Sequence, residues 1–129
     1  RAIAKKITQS LPINNVQELV KAITSCTPPH KRNKTLARVF QAFRIVLNNE
    51  LGRLSKFLSN YIDYLEKGGR IAIISFHSLE DRLVKRNFKD FSRSGQLKIL
   101  TKKPIVASDR EVNANRRSKS AKLRCAEKV

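Results

Sequence analysis

The chain has 129 residues, 28 of them basic and 10 acidic, for a formal net charge of +18. No apolar run approaches the roughly 20 residues that span a bilayer, and the amphipathic start lacks the apolar segment and cleavage site of a secretory leader. A chain this basic repels itself and calls for an anionic partner, nucleic acid before an acidic membrane surface. The plainer alternative is a lysine-rich chain with no specific partner.

The two cysteines, Cys26 and Cys125, are far apart, and only His30 and His77 could join them as soft metal ligands. No C-x-x-C pair is present, so no metal site is expected, and reduced thiols fit a cytoplasmic protein best. The chain contains no methionine and begins with Arg1, which leads to the expectation that it is a fragment or a processed piece.

Residues 1–9 read as a helix with Ile3 and Ile7 one turn apart, ended by Pro12. Asn15 followed three residues later by Glu18 is a capping-box pattern, and Val16, Leu19, Val20 and Ile23 give the next helix a short apolar face. The Thr27-Pro28-Pro29-His30 stretch ends it, and Lys31, Arg32 and Lys34 follow in a basic loop. From Leu36 to Leu65 apolar residues step by three and four. The weak helix formers Asn48, Asn49 and Gly52 predict a bend or two abutting helices, and Gly68-Gly69 a stop.

The run Ile71-Ala72-Ile73-Ile74 after the glycine pair reads as a strand buried on both faces, as in a parallel sheet. Ser78, with Asp81 three residues on, is the expected start of the next helix, whose stripe is Leu79, Leu83, Val84 and Phe88. Helix, glycine pair, buried strand, polar turn and helix make an α/β unit. Residues 96–100 are a second strand and residues 108–119 a basic loop with at most one helical turn. Residues 120–126 alternate as a last strand, with Ala121, Leu123 and Cys125 on the apolar face. The two late strands suit a hairpin at a sheet edge.

Chemistry concentrates at the end of the first strand, where Ser75, His77 and Ser78 meet a helix N-terminus. Ligands bind at the carboxyl ends of strands in open α/β sheets, and this set suits an anion or a polar base edge. The competing reading is structural, with Ser78 capping the helix and Glu80 and Asp81 complementing its dipole. The densest basic stretch, residues 115–124, together with Arg82, Lys85, Arg86, Lys102 and Lys103, suits a phosphate-tracking surface. Few aromatics accompany it, which favours backbone contact over base stacking. There is no glycine-rich loop after a first strand and no acidic residue closing a second, so no nucleoside cofactor site is expected in this chain.

Residues 40–51, FQAFRIVLNNEL, resemble the F-Q-A-L-R-I-x-x-N-x-E-L segment of the 16S ribosomal RNA cytosine-N(4)-methyltransferase family. Residues 68–85, with ISFHSLEDRLVK, resemble that family's G-G-R-x-x-x-I-S-F-H-S-L-E-D-R-x-V-K signature. Lys103-Pro104-Ile105, residues 115–124 and Arg1-Ala2-Ile3-Ala4 resemble further segments in the family's order. Phe43 stands where leucine is usual, Lys119 where arginine is, and Lys34 to Arg38 where many members have H-P-A-T-R.

The resemblance implies an α/β fold: the later part of a class I, Rossmann-like methyltransferase sheet plus part of an inserted helical substrate-recognition domain. On that pattern residues 1–48 belong to the inserted domain and residues 49–129 to the methyltransferase domain. It implies methyl transfer from S-adenosylmethionine to the exocyclic amine of a cytosine in 16S ribosomal RNA, in the small ribosomal subunit. The family's cofactor-binding segments all precede Arg1, so the fragment is expected to be inactive alone and to expose a sheet edge prone to self-association. Ser75, His77 and Ser78 are the candidates to border the target-base pocket; the catalytic group itself is unassigned. Arg38, Arg44, Lys85, Arg86, Arg116, Arg117 and Lys122 are the candidates for RNA contact. A non-enzymatic RNA-binding module and one chain of a split methyltransferase are the alternatives.

Overall fold

The computed structural model describes residues 1–129, which divide into two compact units, Arg1–Glu50 and Leu51–Val129. No helix is long and apolar enough to cross a membrane.

The first unit is helical: α1 (Ala2–Gln9), α2 (Val16–Ser25), a 3-10 turn (Pro29–Lys31) and α3 (Arg32–Leu47). Asn15 caps α2 as its sequence pattern requires. Its side chain accepts from the Glu18 N–H at 2.9 Å, and the Glu18 carboxylate accepts from the Asn14 N–H at 2.8 Å. The unit buries little, only Ala22, Ile23 and Thr27. Thr27 Oγ1 lies there without penalty because it donates to the Ile23 carbonyl at 2.7 Å. The apolar stripe of α3 is open to solvent along much of its length, with Phe40, Phe43 and Leu47 exposed, Leu47 by 81 %. The helix breaks where the weak formers stand: Asn49 has φ 49°, a left-handed conformation that asparagine tolerates better than branched residues.

The second unit is built from α4 (Glu50–Asn60), a 3-10 turn (Tyr61–Tyr64), β1 (Arg70–Ser75), α5 (Ser78–Arg93), β2 (Leu97–Ile99), β3 (Ile105–Val106), α6 (Asp109–Ala114), a second 3-10 turn (Arg116–Ser120) and β4 (Lys122–Lys128). The sheet order is β1-β4-β2, with β3 also on β4, and every pairing is antiparallel. Leu58, Tyr61, Ile62, Val84, Phe88, Leu97 and Ala126 form the core between the helices and one sheet face. Each fully buried large side chain, such as Phe88, contributes about 1.5–3 kcal/mol.

Four sequence expectations change here. β1 is not buried on both faces in a parallel sheet. Only its Ile71–Ile73 face meets the core, while Ile74 on the other face is 58 % exposed. One edge of β1 pairs with β4 and the other has no strand in this sheet. The last strand is central rather than half of an edge hairpin, because β1 and β2 take its two sides. Its inward face is also the opposite of the one read from alternation: Arg124 and Ala126 are buried, since Arg124 finds a carboxylate on α5. Finally, residues 109–120 are ordered as α6 and a 3-10 turn, with Ser108 capping α6 through the Glu111 N–H.

The glycine pair does more than stop a helix. Gly68 has φ +79° and donates to the Lys128 carbonyl at 2.8 Å. A Cβ on Gly69 would lie 2.8 Å from the Glu66 carbonyl oxygen. Both are therefore required where the chain turns sharply into β1 and locks onto the end of β4. Lys128 completes this corner, its Nζ donating to the carbonyls of Ile62 and Leu65 at 2.9 and 2.7 Å.

Candidate functional site

β1 ends at Ser75, which is 2 % exposed and faces Lys122 across the β1–β4 pair. Three residues later α5 begins at Ser78, and its N-cap is His77 rather than Ser78. Histidine is an unusual cap, but its Nδ1 accepts from the Glu80 N–H at 3.2 Å. Glu80 Oε2 in turn accepts from the N–H groups of Phe76 and His77 at 3.0 and 3.2 Å. The result is a reciprocal capping box. Ser78 is the first residue of the helix and is exposed.

This geometry bears on both sequence readings of the turn. The N–H groups of Phe76 and His77 face the Glu80 carboxylate, and the N–H of Glu80 itself is taken by His77 Nδ1. The Glu80 carboxylate is like charge to an anion docking at this turn, which weighs toward the structural reading. Because Nδ1 accepts a hydrogen bond, the imidazole is held with its proton on Nε2. Its side chain is 7 % exposed, with Nε2 3.5 Å from Glu80 Oε2. His77 is thus a rigid, oriented imidazole beside the buried hydroxyl-bearing Ser75.

Asp81 lies one residue beyond. Its carboxylate receives Arg124 Nε at 2.7 Å and Nη2 at 3.3 Å, with Lys122 Nζ 3.7 Å away. The hydrogen bond from Arg124 holds the Asp81 carboxyl below the usual carboxylate range, against the opposing effect of burial and with help from the charges of Lys122 and Lys85. A carboxylate so held is a poor proton acceptor near neutral pH. Its work is to fix α5 onto β4 and to set Lys122 beside the end of β1.

Of the remaining candidates, Lys85 and Arg86 are exposed on α5, and Arg116 and Arg117 are exposed on the 3-10 turn before β4. Arg38 and Arg44 belong to α3 in the first unit, where Arg44 is engaged by Glu50 through contacts of 2.8 and 3.3 Å. The structure therefore brings Ser75, His77, Ser78 and Lys122 together at one end of the β1–β4 pair. Arg124 and Asp81 were missed as a pair. Their only sequence signal is charge complementarity across 43 residues.

Turning to known proteins, residues 1–129 match the MraW methylase family over their whole length. The chain is 51 % identical over 132 residues to the ribosomal RNA small subunit methyltransferase H of Trichodesmium erythraeum, covering 100 % of this chain and 46 % of that protein. It is 52 % identical over 131 residues to the enzyme of that name from Trichormus variabilis, covering 99 % of this chain and 42 % of the relative. The Thermotoga neapolitana protein of the same name is 48 % identical over 134 residues, covering 100 % of this chain and 44 % of the relative.

What the fold and the sequence define together is thus an α/β piece of a methylase. The chain belongs to the MraW methylase family, as its motifs led one to expect, and it spans less than half the length of these curated relatives.

Proposed function

We propose that the chain is the C-terminal part of an S-adenosylmethionine-dependent enzyme that methylates the exocyclic N4 amine of a cytosine in 16S ribosomal RNA. The observation that carries this reading is the match along the whole chain, about half of all positions identical, to proteins named as small-subunit ribosomal RNA methyltransferases. The net charge of +18 suits an RNA substrate in the small ribosomal subunit, and a ribosomal substrate goes with a cytoplasmic location.

On this reading Leu51–Val129 is the later part of a Rossmann-like sheet, and the open edge of β1 is where further strands add. Arg1–Glu50 is then part of the inserted helical substrate-recognition domain. The β1–α5 turn contains no glycine, and its Phe76 and His77 N–H groups face Glu80, which supports a cofactor site elsewhere. S-adenosylmethionine would be held outside this chain. What the chain supplies is the rim of the base pocket. Ser78 is an exposed hydroxyl at the strand end, Ser75 and the oriented His77 imidazole lie buried beneath it, and Lys122 is a cation for a neighbouring phosphate. Reaching a cytosine amine requires the base to be unstacked, and fixed polar groups at a strand end suit reading its edge.

The test is methyl transfer from labelled S-adenosylmethionine to small subunits lacking the modification. The chain alone should be inactive. The chain supplemented with the N-terminal portion of a relative should transfer label to a cytosine. Failure of a well-folded pair to transfer any label, with RNA binding retained, would favour a non-enzymatic RNA-binding module, the reading that charge alone supports. Restoration by a separately encoded N-terminal chain from the same genome would identify a split methyltransferase.

A further inference from the structure

On the flank of the sheet away from the open edge of β1, α5 and β2 enclose a groove of about 730 Å3. Its floor is apolar and already part of the core: Phe88 and Leu97 are each 2 % exposed. Its rim is cationic. Lys85 and Lys89 stand one helical turn apart on α5, while Lys98 and Lys102 come from β2 and the loop after it. All four are exposed, and no aspartate or glutamate side chain lines the groove. The one further cation, Arg124, is neutralised by Asp81.

We propose that this groove is a docking track for the phosphodiester backbone of single-stranded RNA, apart from the strand-end site. The proposal deepens the ribosomal RNA reading and rests on it. Charge complementarity commits the groove to a polyanion. Lysines act as point charges on flexible stems, which track phosphates without demanding one planar geometry. Base stacking is not the mode, because the only aromatic ring in the lining, Phe88, is buried in the core. The position also matters. β2 lies on the far side of β4 from β1, so strands added at the β1 edge leave the groove uncovered. The track therefore holds substrate at a distance from the reacting base, contributing affinity and orientation rather than base identity.

The experiment is fluorescence anisotropy of the 129-residue chain with short labelled single-stranded RNAs of 16S sequence and of scrambled sequence, titrated across salt. Two variants of equal charge loss are compared. One replaces Lys85, Lys89, Lys98 and Lys102 by glutamine, and the other replaces Arg53, Lys56, Lys67 and Arg110, exposed cations of the same unit away from the groove. The groove variant should bind about 10-fold more weakly or worse, and its log K against log salt slope should flatten by about 2 to 3, at roughly 0.7 per lost phosphate contact. The control should change much less, and scrambled RNA should lose as much as the 16S sequence. Equal losses in both variants, with circular dichroism showing both folded, would overturn the groove while leaving RNA binding intact. No binding by the unaltered chain would overturn the ribosomal RNA reading together with it.

Discussion

Asp81 and Arg124, 43 residues apart in sequence, form a two-pronged ion pair at 2.7 and 3.3 Å in which both side chains are nearly buried, at 14 % and 8 % exposure. The pair ties the first turn of α5 to the central strand and sets Lys122 at the end of β1. Removing one partner strands the other charge in a poorly solvated place. Asp81→Asn should therefore destabilise the chain by about 3 kcal/mol, the lower end for a broken buried pair. Replacing both residues together, as Asp81→Leu with Arg124→Met, should cost much less, and urea denaturation of the two variants beside the unaltered chain measures the difference. A double variant as unstable as the single one would show that the pair's hydrogen bonds, not the stranded charge, set the cost.

The same carboxylate fixes an acid limit. Its folded pKa is depressed, chiefly by the Arg124 hydrogen bond. The unfolded chain therefore takes up the proton first as pH falls. The stability contributed by Asp81 is present above the ordinary aspartate value of 3.8 and is lost as pH drops below that toward the folded pKa. Thermal melts from neutral pH downward should show this loss beginning near the unfolded pKa, and Asp81→Asn should flatten that limb.

Tyr61 sets an opposite limit. Its hydroxyl donates to Asn87 Oδ1 at 3.0 Å, and Asn87 Nδ2 donates to the Leu58 carbonyl at 2.7 Å, so the phenol sits in a closed polar link inside the core. Burial pushes its pKa up to about 12 from 10.0. With the folded value raised, the stability it contributes is complete below pH 10 and is lost as pH rises toward 12. Tyr61→Phe should cost about 1 kcal/mol at neutral pH through the orphaned Asn87 acceptor. It should also lessen the alkaline fall measured in melts between those two values.

Local signals were legible in the sequence and long-range ones were not. Asn15 with Glu18 and the break at Asn48-Asn49 involve neighbours along the chain, and each appears where its pattern placed it. The N-cap of α5 was misread by one residue because Ser78 is the commoner capping type, whereas His77 takes the role with Glu80 as its reciprocal partner. The face of β4 was misread because alternation assumes that polar residues point outward. Arg124 points inward on account of Asp81, which no local window contains. The continuous apolar run of β1 was read as doubly buried, yet what would cover its second face is not among the elements described. At the candidate site, the strand-end cluster was visible as a motif. The Lys85–Lys102 groove was not, since it depends on β2 folding back along α5.

The corner that starts β1 offers a sharp steric test. Gly68 has the positive φ that costs an alanine about 1–2 kcal/mol, although a Cβ there would meet no atom within 4 Å. Gly69 has the opposite problem, because its missing Cβ would press on the Glu66 carbonyl at 2.8 Å. Gly68→Asn should recover part of what Gly68→Ala loses, since asparagine tolerates the left-handed region. Gly69→Asn should recover nothing relative to Gly69→Ala, because the clash is with backbone.

Ile74 carries the last prediction. It lies on the face of β1 that no helix of the second unit covers, in a strand whose outer edge has no partner. An open edge with an apolar neighbour is a template for pairing with another chain. The 129-residue chain should therefore self-associate as its concentration rises, and Ile74→Lys should reduce that association in sedimentation velocity runs. The charge sits on an exposed position, so folding should change by no more than about 0.5 kcal/mol. If Ile74→Lys instead unfolds the chain, the face is covered in solution, and the open side of the sheet is not where added strands or copies dock. If the chain stays monomeric at every concentration, its +18 charge alone is enough to hold edges apart, and raising the salt should then restore association.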